Sequence, residues 1–499
     1  MSFEFLKLIL HFPPLRVIIR RMRDLIFEFY YMDIDKVKKV YMIGIKGVGM
    51  TMLAQFLKSR GIEVSGSDIK EKFMTDQVLR DSGIKVIEGF SEKNMPSQAD
   101  LIIYSTAYNS QTNPEVARAG ERSVPLLTYA QALGEVFNNY YGIAVTGSHG
   151  KTTTAAWLGY VLDKCGLAPN VLVGSRVPQF KGSGLVGDSD YLVAELDEYQ
   201  NKFRYFSPKI VLLNNIEYDH PDFFPDEESY IQVFIDLIKK IPSTGTLLAN
   251  YDDPLVRKIA AVNCKGKVVS YGIKEYADLI AYDLVQKDGQ NFFKVKFGLE
   301  EEEGPEETAL GGFVTNLVGK HNVSNALAII ALGLELDLDL ASLRTHLEDF
   351  EGASRRLEVL GKFKGVPIID DYAHHPTEIK TTLEAIRKNY PEKKIVTVFH
   401  PHTFTRTKAL LKEFSESFKD SDKVIVVDIY GSAREEQGGV HSRDLVEGIN
   451  NLENKDKASY ISTLEEVEKH LRKNIASDEV VVLMGAGDVF RVGEKLLKK

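Results

Sequence analysis

Apolar residues along the chain come in short runs, each ending in a glycine-rich or acidic turn and followed by a stretch with helical spacing. "KKVYMIGIKGVGM" leads into "TMLAQFLKSRG", and "IEVSGSD", "IKVIEGF", "ADLIIYSTA" and "VPLLTY" carry the alternation on to about Tyr140. Strands alternating with helices predict a parallel sheet covered by helices on both faces. A second cycle opens with "YYGIAVTGSHGKTTTAAWLGYVLDKCG" and continues through "DYLVAELDE", "KIVLLNNIEYDH", "GTLLANYDD" and "KVVSYG". Between Ala277 and Leu317 the period changes to that of antiparallel strands around the acidic turn "LEEEEGPEE", read as a solvated hairpin tip. The helical stretch "KHNVSNALAIIALGLEL" follows. Past Gly352 a third cycle runs through "GVPIIDDYAHHPTEI", "KIVTVFHPH", "KVIVVDIYG" and "EVVVLMGAGD".

The expected architecture is therefore α/β with three domains in series. A Rossmann-like unit spans 33–140, and a central phosphate-loop domain with a mostly parallel sheet and a small antiparallel one spans 141–352. A second Rossmann-like unit spans 353–499. Residues 1–32 stand apart. Pro13, Pro14 and several arginines break their apolar runs below the ~18 residues of a membrane span, and no small-residue cleavage site follows. Two readings remain for them: an amphipathic surface helix, or a start placed too early, with Met32 as the true one.

The net charge of -9 argues against nucleic acid as the main partner. Two cysteines, Cys165 and Cys264, make a disulfide framework or structural zinc site improbable and fit a reducing cytoplasm.

Three turns carry candidate chemistry. Gly44, Gly47 and Gly49 are spaced G-x-x-G-x-G, which lets backbone N–H groups approach a phosphate at a helix start, and Asp68 closes the next strand where a sugar hydroxyl could be held. A ligand-free βα turn explains this first turn equally well. "TGSHGKTTTA" is stronger: Gly147 and Gly150 allow the backbone to curl round phosphate oxygens, Lys151 supplies positive charge, and the Thr152 hydroxyl suits Mg²⁺. Glu195 and His220 end strands of the same domain, so a parallel sheet delivers both to the loop's edge. Asn322 and Asn325 share a helix face, and spacing alone favours capping by Asn322. Arg356 could pair with phosphate or carboxylate, Asp371 closes a strand, and His400, His402 and Arg406 at another strand end suit anion recognition, while His374-His375 has no neighbouring ligand at zinc spacing.

In order, "GIKGVGM", "TGSHGKTTT", "AELDEY", "NNIEYDHPDFF", "GKHNVSNALA", "GASRRLE" and "DDYAHHPTE" resemble the motifs of the Mur ligase family, over nearly the whole chain after Met32. The short G-x-x-G-K-T loop is that family's own form. "DDYAHHPTE", "FHPHTFTRT" and "DIYGSAREE" look like the branch that joins L-alanine to UDP-N-acetylmuramate; the branch attaching a murein tripeptide to the same sugar nucleotide is the alternative. Other members carry a carbamylated lysine, and there is no lysine between Pro221 and Ile238. One departure is Gly89-Phe90, where the family commonly has Gly-His, so a histidine contact to the sugar nucleotide is missing or supplied otherwise.

The resemblance implies an ATP- and Mg²⁺-dependent ligase working through an acyl phosphate, cytoplasmic, monomeric or dimeric, with no membrane span. It implies an ATP site of Gly147, Ser148, His149, Gly150, Lys151, Thr152 and Thr153, with Asn322 and Asn325 on the adenine side. Thr152, Glu195 and His220 would hold metal, and Arg356 and Asp371 would reach ATP as the last domain closes. Tyr372, His375 and Arg406 would line the amino-acid or ribose region; Gly44, Gly47, Gly49, Asp68 and Ser105 would bind the UDP-sugar. A nicotinamide-dependent or non-catalytic nucleotide-binding protein is the remote alternative, and it gives Lys151-Thr152 no task.

Overall fold

The computed structural model describes residues 36–73, 75–298, 309–431, 437–453 and 456–498. The segment before Met32 and the acidic turn "LEEEEGPEE" lie outside them. The described residues form three sheets in chain order, as the alternation predicts.

The first sheet contains β1 (Lys39–Ile43), β2 (Glu63–Asp68), β3 (Lys85–Glu88), β4 (Leu101–Tyr104) and β5 (Leu126–Thr128), all parallel, in the order β3-β2-β1-β4-β5. The order reverses between β1 and β4, which opens a crevice at their carboxyl ends. Helix α1 (Val48–Ser59) starts there, directly after the glycine turn.

The central sheet has ten strands in the order β15-β14-β13-β12-β11-β10-β6-β9-β7-β8. Its parallel heart is β6 (Tyr141–Thr146), β9 (Tyr191–Glu195), β10 (Ile210–Leu213), β11 (Thr246–Asn250) and β12 (Lys267–Gly272). β13 (Leu279–Lys287), β14 (Gln290–Phe297) and β15 (Ala309–Thr315) are the expected antiparallel extension. At the opposite edge β7 (Asn170–Val177) and β8 (Gly182–Leu185) add a hairpin that the sequence pattern did not reveal. Helix α2 (Lys151–Lys164) grows from the phosphate loop and is buried from Thr152 to Leu162, so both ends of the loop are anchored in a core. On it lies the chain's only tryptophan, Trp157, fully buried and stacked on Phe350 with ring centroids 5.7 Å apart. Helix α3 (Lys320–Glu335) packs alongside, with its Val323 to Leu332 stretch in the same apolar cluster.

The third sheet, in the order β16-β17-β21-β18-β19-β20, consists of β16 (Glu358–Phe363), β17 (Val366–Asp371), β18 (Lys394–Phe399), β19 (Lys423–Val426), β20 (Ala458–Tyr460) and β21 (Glu479–Met484). Only β16 runs antiparallel to its neighbour. Helices α4 (Pro376–Asn389) and α5 (Phe404–Ala409) follow β17 and β18, so their first turns sit at the carboxyl edge that faces the phosphate loop.

A short connector joins the last two sheets. Gly352, Arg355 and Leu357 have φ of 104°, 65° and 50°. β7 grips this connector: Ser354 N–H donates to Arg176 O at 2.8 Å, and Ser175 Oγ donates to Ser354 O at 2.8 Å. No described helix is long and apolar enough to cross a membrane.

Candidate active site

Two glycines shape the loop between β6 and α2. Gly147 has φ 135° and Gly150 φ 80°, and a Cβ on Gly150 would lie 3.1 Å from side-chain atoms of both Asn214 and Asn325. Gly150 caps α2 without a side-chain hydrogen bond, which leaves the first-turn N–H groups directed at the loop's concave side. Asn215 fastens the loop from behind, accepting His149 N–H at 2.7 Å and donating to His149 O at 3.2 Å. Ser148 Oγ donates to Glu217 O and accepts Glu217 N–H.

Lys151 Nζ donates to Gly147 O, Ser148 O and Glu198 at 2.5, 3.0 and 3.1 Å. Burial works to lower its pKa, but Glu198, Asp197 and Glu195 together hold it above the ordinary lysine value. Thr152 Oγ donates to Glu195 at 2.7 Å, and the other Glu195 oxygen accepts Gly174 N–H at 2.8 Å. Hydroxyl and carboxylate thus stand side by side at the start of α2, a hard oxygen pair of the kind Mg²⁺ takes. His220, in left-handed backbone at φ 58°, brings Nε2 to 3.7 Å from Glu198 and packs its ring on Tyr199. Thr153 is buried inside α2, and its N–H belongs to the open first turn.

The third sheet reaches across to this point. Arg356 donates an Nη hydrogen to Thr152 Oγ at 3.1 Å, and its guanidinium lies 5.0 Å over the Tyr372 ring. Asp371 points elsewhere: its oxygens accept Leu357 N–H at 2.7 Å and Ala373 N–H at 2.8 Å, so it shapes the turn that presents Arg356. Burial raises its pKa against the pull of Arg356. Arg406 is held in a buried double contact with Asp219, at 3.0 and 3.2 Å. Asp219 stays far below the usual carboxylate range despite burial, because Arg406 and three histidines outweigh that burial.

Asn322 does not cap α3. Gly319 occupies that position, while Asn322 lies inside the first turn, donating to Val318 O at 2.8 Å and accepting from Asn325 at 3.1 Å. The two asparagines share a face, and Asn325 on it lies against Gly150.

In the first sheet's crevice, Gly44 and Gly49 are hemmed in: a Cβ would meet Tyr108 and Ser105 at 2.8 and 2.9 Å, or Tyr129 at 2.6 Å. Gly47 meets nothing closer than 3.6 Å, so there the backbone is open. Asp68 is buried and accepts Lys46 N–H at 2.7 Å and the Tyr108 hydroxyl at 3.4 Å, so it buttresses the glycine turn from beneath. Phe90 meets Tyr108 edge-on, with ring centroids 4.8 Å apart.

Glu198, Glu217, Asp219 and Glu378 each lie in one of the family-like motifs, yet the sequence alone does not single them out. Nothing local distinguishes these acids; burial and partners from remote segments do. The same long-range packing answers the His374-His375 question. His375 meets His149 and Glu217 with ligand-type atoms all within 4.8 Å of one another, partners that spacing along the chain does not reveal.

The family descriptions matching the chain are "Mur ligase family, catalytic domain" over 39–141, "Mur ligase middle domain" over 145–333, and "Mur ligase, glutamate ligase domain" over 355–487. The chain is similar to the UDP-N-acetylmuramate–L-alanine ligase of Desulfitobacterium hafniense, 39% identical over 466 residues covering 92% of this chain and 99% of that one. It is similar also to the enzyme of the same name from Acetivibrio thermocellus, 40% identical over 471 residues, 94% and 97% of the two chains. Among solved structures it resembles the UDP-N-acetylmuramate–alanine ligase of Thermotoga maritima, with a TM-score of 0.77, 26% identity, and 92% and 98% covered.

Proposed function

The chain belongs to the Mur ligase family, and from that premise we propose that it joins L-alanine to UDP-N-acetylmuramate at the expense of ATP, as a step in making peptidoglycan precursors. The observation carrying this reading is the meeting of Lys151, Thr152, Glu195 and Arg356, brought from three separate segments, at the start of α2. Both relatives of 39–40% identity are named for that reaction. Family membership leaves the nicotinamide-dependent and non-catalytic readings without support.

A carboxylate is a poor electrophile, so the muramoyl carboxylate takes the γ-phosphoryl group to become an acyl phosphate. The amine of alanine then attacks its carbonyl, and phosphate leaves. Two anions must meet in the first step, so fixed positive charge governs its rate. Lys151 lies against the phosphates and Arg356 closes over them from the third sheet. Thr152 and Glu195 offer the oxygen donors that fit Mg²⁺, and His220 with Glu198 a second donor pair. When bound, Mg²⁺ supplies charge neutralisation between phosphate oxygens. The opening round Gly47 and Ser105, with Gly44 and Gly49 setting its backbone, receives the UDP-sugar, and Asn322 and Asn325 brace the loop on the nucleotide side. Tyr372 and His375 border the amino-acid or ribose region, while Arg406, placed there by the resemblance, is occupied by Asp219. Docking of the third domain excludes water from the acyl phosphate.

Phosphate release from ATP with UDP-N-acetylmuramate tests the reading. L-alanine is expected to give the highest kcat/KM, with glycine lower by only ~10- to 200-fold because one methyl group separates them. Highest turnover with murein tripeptide would move the assignment to the alternative branch. Absence of amine-dependent release with L-alanine, glycine, L-serine and tripeptide alike would overturn it.

The loop gives a second expectation. Gly150→Ala forces a side chain onto left-handed backbone and against two asparagines. ATP affinity is expected to fall at least ~10-fold in a nucleotide titration while the circular dichroism spectrum stays that of the parent.

A further inference from the structure

His149 occupies the third position of the phosphate loop, yet its ring faces away from the loop's concave side and into the junction with the third sheet. Nε2 is 2.8 Å from a Glu217 oxygen and Nδ1 is 3.1 Å from a Glu378 oxygen. Ionised carboxylates only accept hydrogen bonds, so a ring with one at each nitrogen carries both protons and a full charge. The two acids belong to different bodies: Glu217 to the segment after β10, Glu378 to the first turn of α4. A crossed contact completes the clasp, Thr377 Oγ donating to the free Glu217 oxygen at 2.6 Å.

Both ends are rigidly founded. On the loop side, the backbone N–H and C=O of His149 are held by Asn215. On the other, the second Glu378 oxygen accepts His374 N–H at 3.0 Å and His375 N–H at 3.2 Å, so the carboxylate that receives the ring also caps α4. A shift of α4 therefore pulls on the loop through one side chain.

We propose that His149 is a positioning residue: its ring ties the phosphate loop to the first turn of α4, so that loop geometry and docking of the third domain are set together. The proposal rests on the loop being the ATP site. Docking contributes to ATP affinity through the loop's shape, in addition to anything Arg356 touches directly.

The charged groups facing the ring are Glu217 from the β10 segment and Glu378 from α4, with the ring of His375, the N-cap of α4, tilted 4.9 Å away and His374 paired to Glu378. Burial opposes the charge, but the two carboxylates raise the His149 pKa to about 9, while His375 is pushed down to about 4 by burial and the neighbouring cation. Parted from Glu378, His149 falls back toward its ordinary value of 6.5. The clasp is thus fully present below the separated value and is lost as pH rises through about 9.

Hydrogen exchange on the full chain without nucleotide is the test. Glu378→Gln is expected to raise exchange of residues 147–152 at least ~10-fold, after correction for intrinsic rates, although no loop residue has changed. His149→Asn should do so as well, and should also release the first turn of α4. Glu384→Gln, on the exposed pair with Lys388 of the same helix, should leave the loop unchanged. In the parent protein, loop protection should fall as pH passes 9; in His149→Asn it should be flat. ATP affinity should drop at least ~10-fold in Glu378→Gln. Loop exchange within twofold of the parent in Glu378→Gln overturns the proposal. Should His149→Asn not fold, Thr377→Val offers the same comparison from the far side. Coupled exchange with no ATP binding in the parent would sink the ATP reading instead, so the two failures are distinguishable.

Discussion

Lys151→Ala abolishes ATP-dependent phosphate release, with kcat falling at least ~10³-fold, because the charge that stabilises the transferring phosphoryl group is gone and water cannot replace it at a buried point. The magnitude follows from the surroundings. Glu198, Asp197 and Glu195 all act on the ammonium. Removing the lysine leaves three acids next to incoming phosphates, so lost attraction is compounded by uncovered repulsion. The UDP-sugar site proposed above lies in another sheet and should be unaffected. A parallel titration with UDP-N-acetylmuramate should therefore give parental affinity. Residual turnover above a tenth of the parent's would remove Lys151 from the mechanism.

Asp219→Ala is the second large effect, and it is conformational. Arg406 and Asp219 are both about 6% exposed at the junction of the central and third sheets. Deleting one partner of such a pair leaves an uncompensated charge, at a cost of about 3–5 kcal/mol. Here the molecule has an escape that a core lacks: moving the third domain away lets water reach Arg406. The cost therefore appears as a shift toward undocked chains, ~10²- to several 10³-fold in the equilibrium. Small-angle scattering should show a larger radius of gyration for Asp219→Ala than for the parent. Arg406→Ala should do the same, and the double variant should be no worse than either single one. Parental compactness in both single variants would show that the pair does not hold the domains.

Much of this was legible in the chain because parallel strands buried on both faces must be written as apolar runs. The runs at β1, β6, β10, β17 and β21 are of that kind. β7 and β16 escaped for the opposite reason. "NVLVGSRV" turns polar halfway, and β16 is an exposed edge strand with Gly361 at φ 151°. The phosphate loop and Thr152 could be named from spacing, Glu195 from its place at a strand end, and Arg356 from the motif that holds it. Asp68 suggests a ligand by its place at a strand end, and Asp371 does so through the family resemblance; in the structure both accept backbone N–H groups of neighbouring turns. Arg406 looked like a free anion site because its partner, Asp219, is 187 residues away in sequence. Contacts between sheets carry no signature in either segment alone.

The stack of Trp157 on Phe350 has a practical consequence. One partner rides on the helix that grows from the phosphate loop; the other stands two residues before Gly352, where the connector begins. With a single indole among 22 tyrosines, emission excited selectively at the indole band comes from one address. Any rearrangement transmitted between loop and connector changes the quenching of that lone fluorophore. The protein thus carries a native optical probe between phosphate loop and connector, and stopped-flow fluorescence can test for movement there without labels.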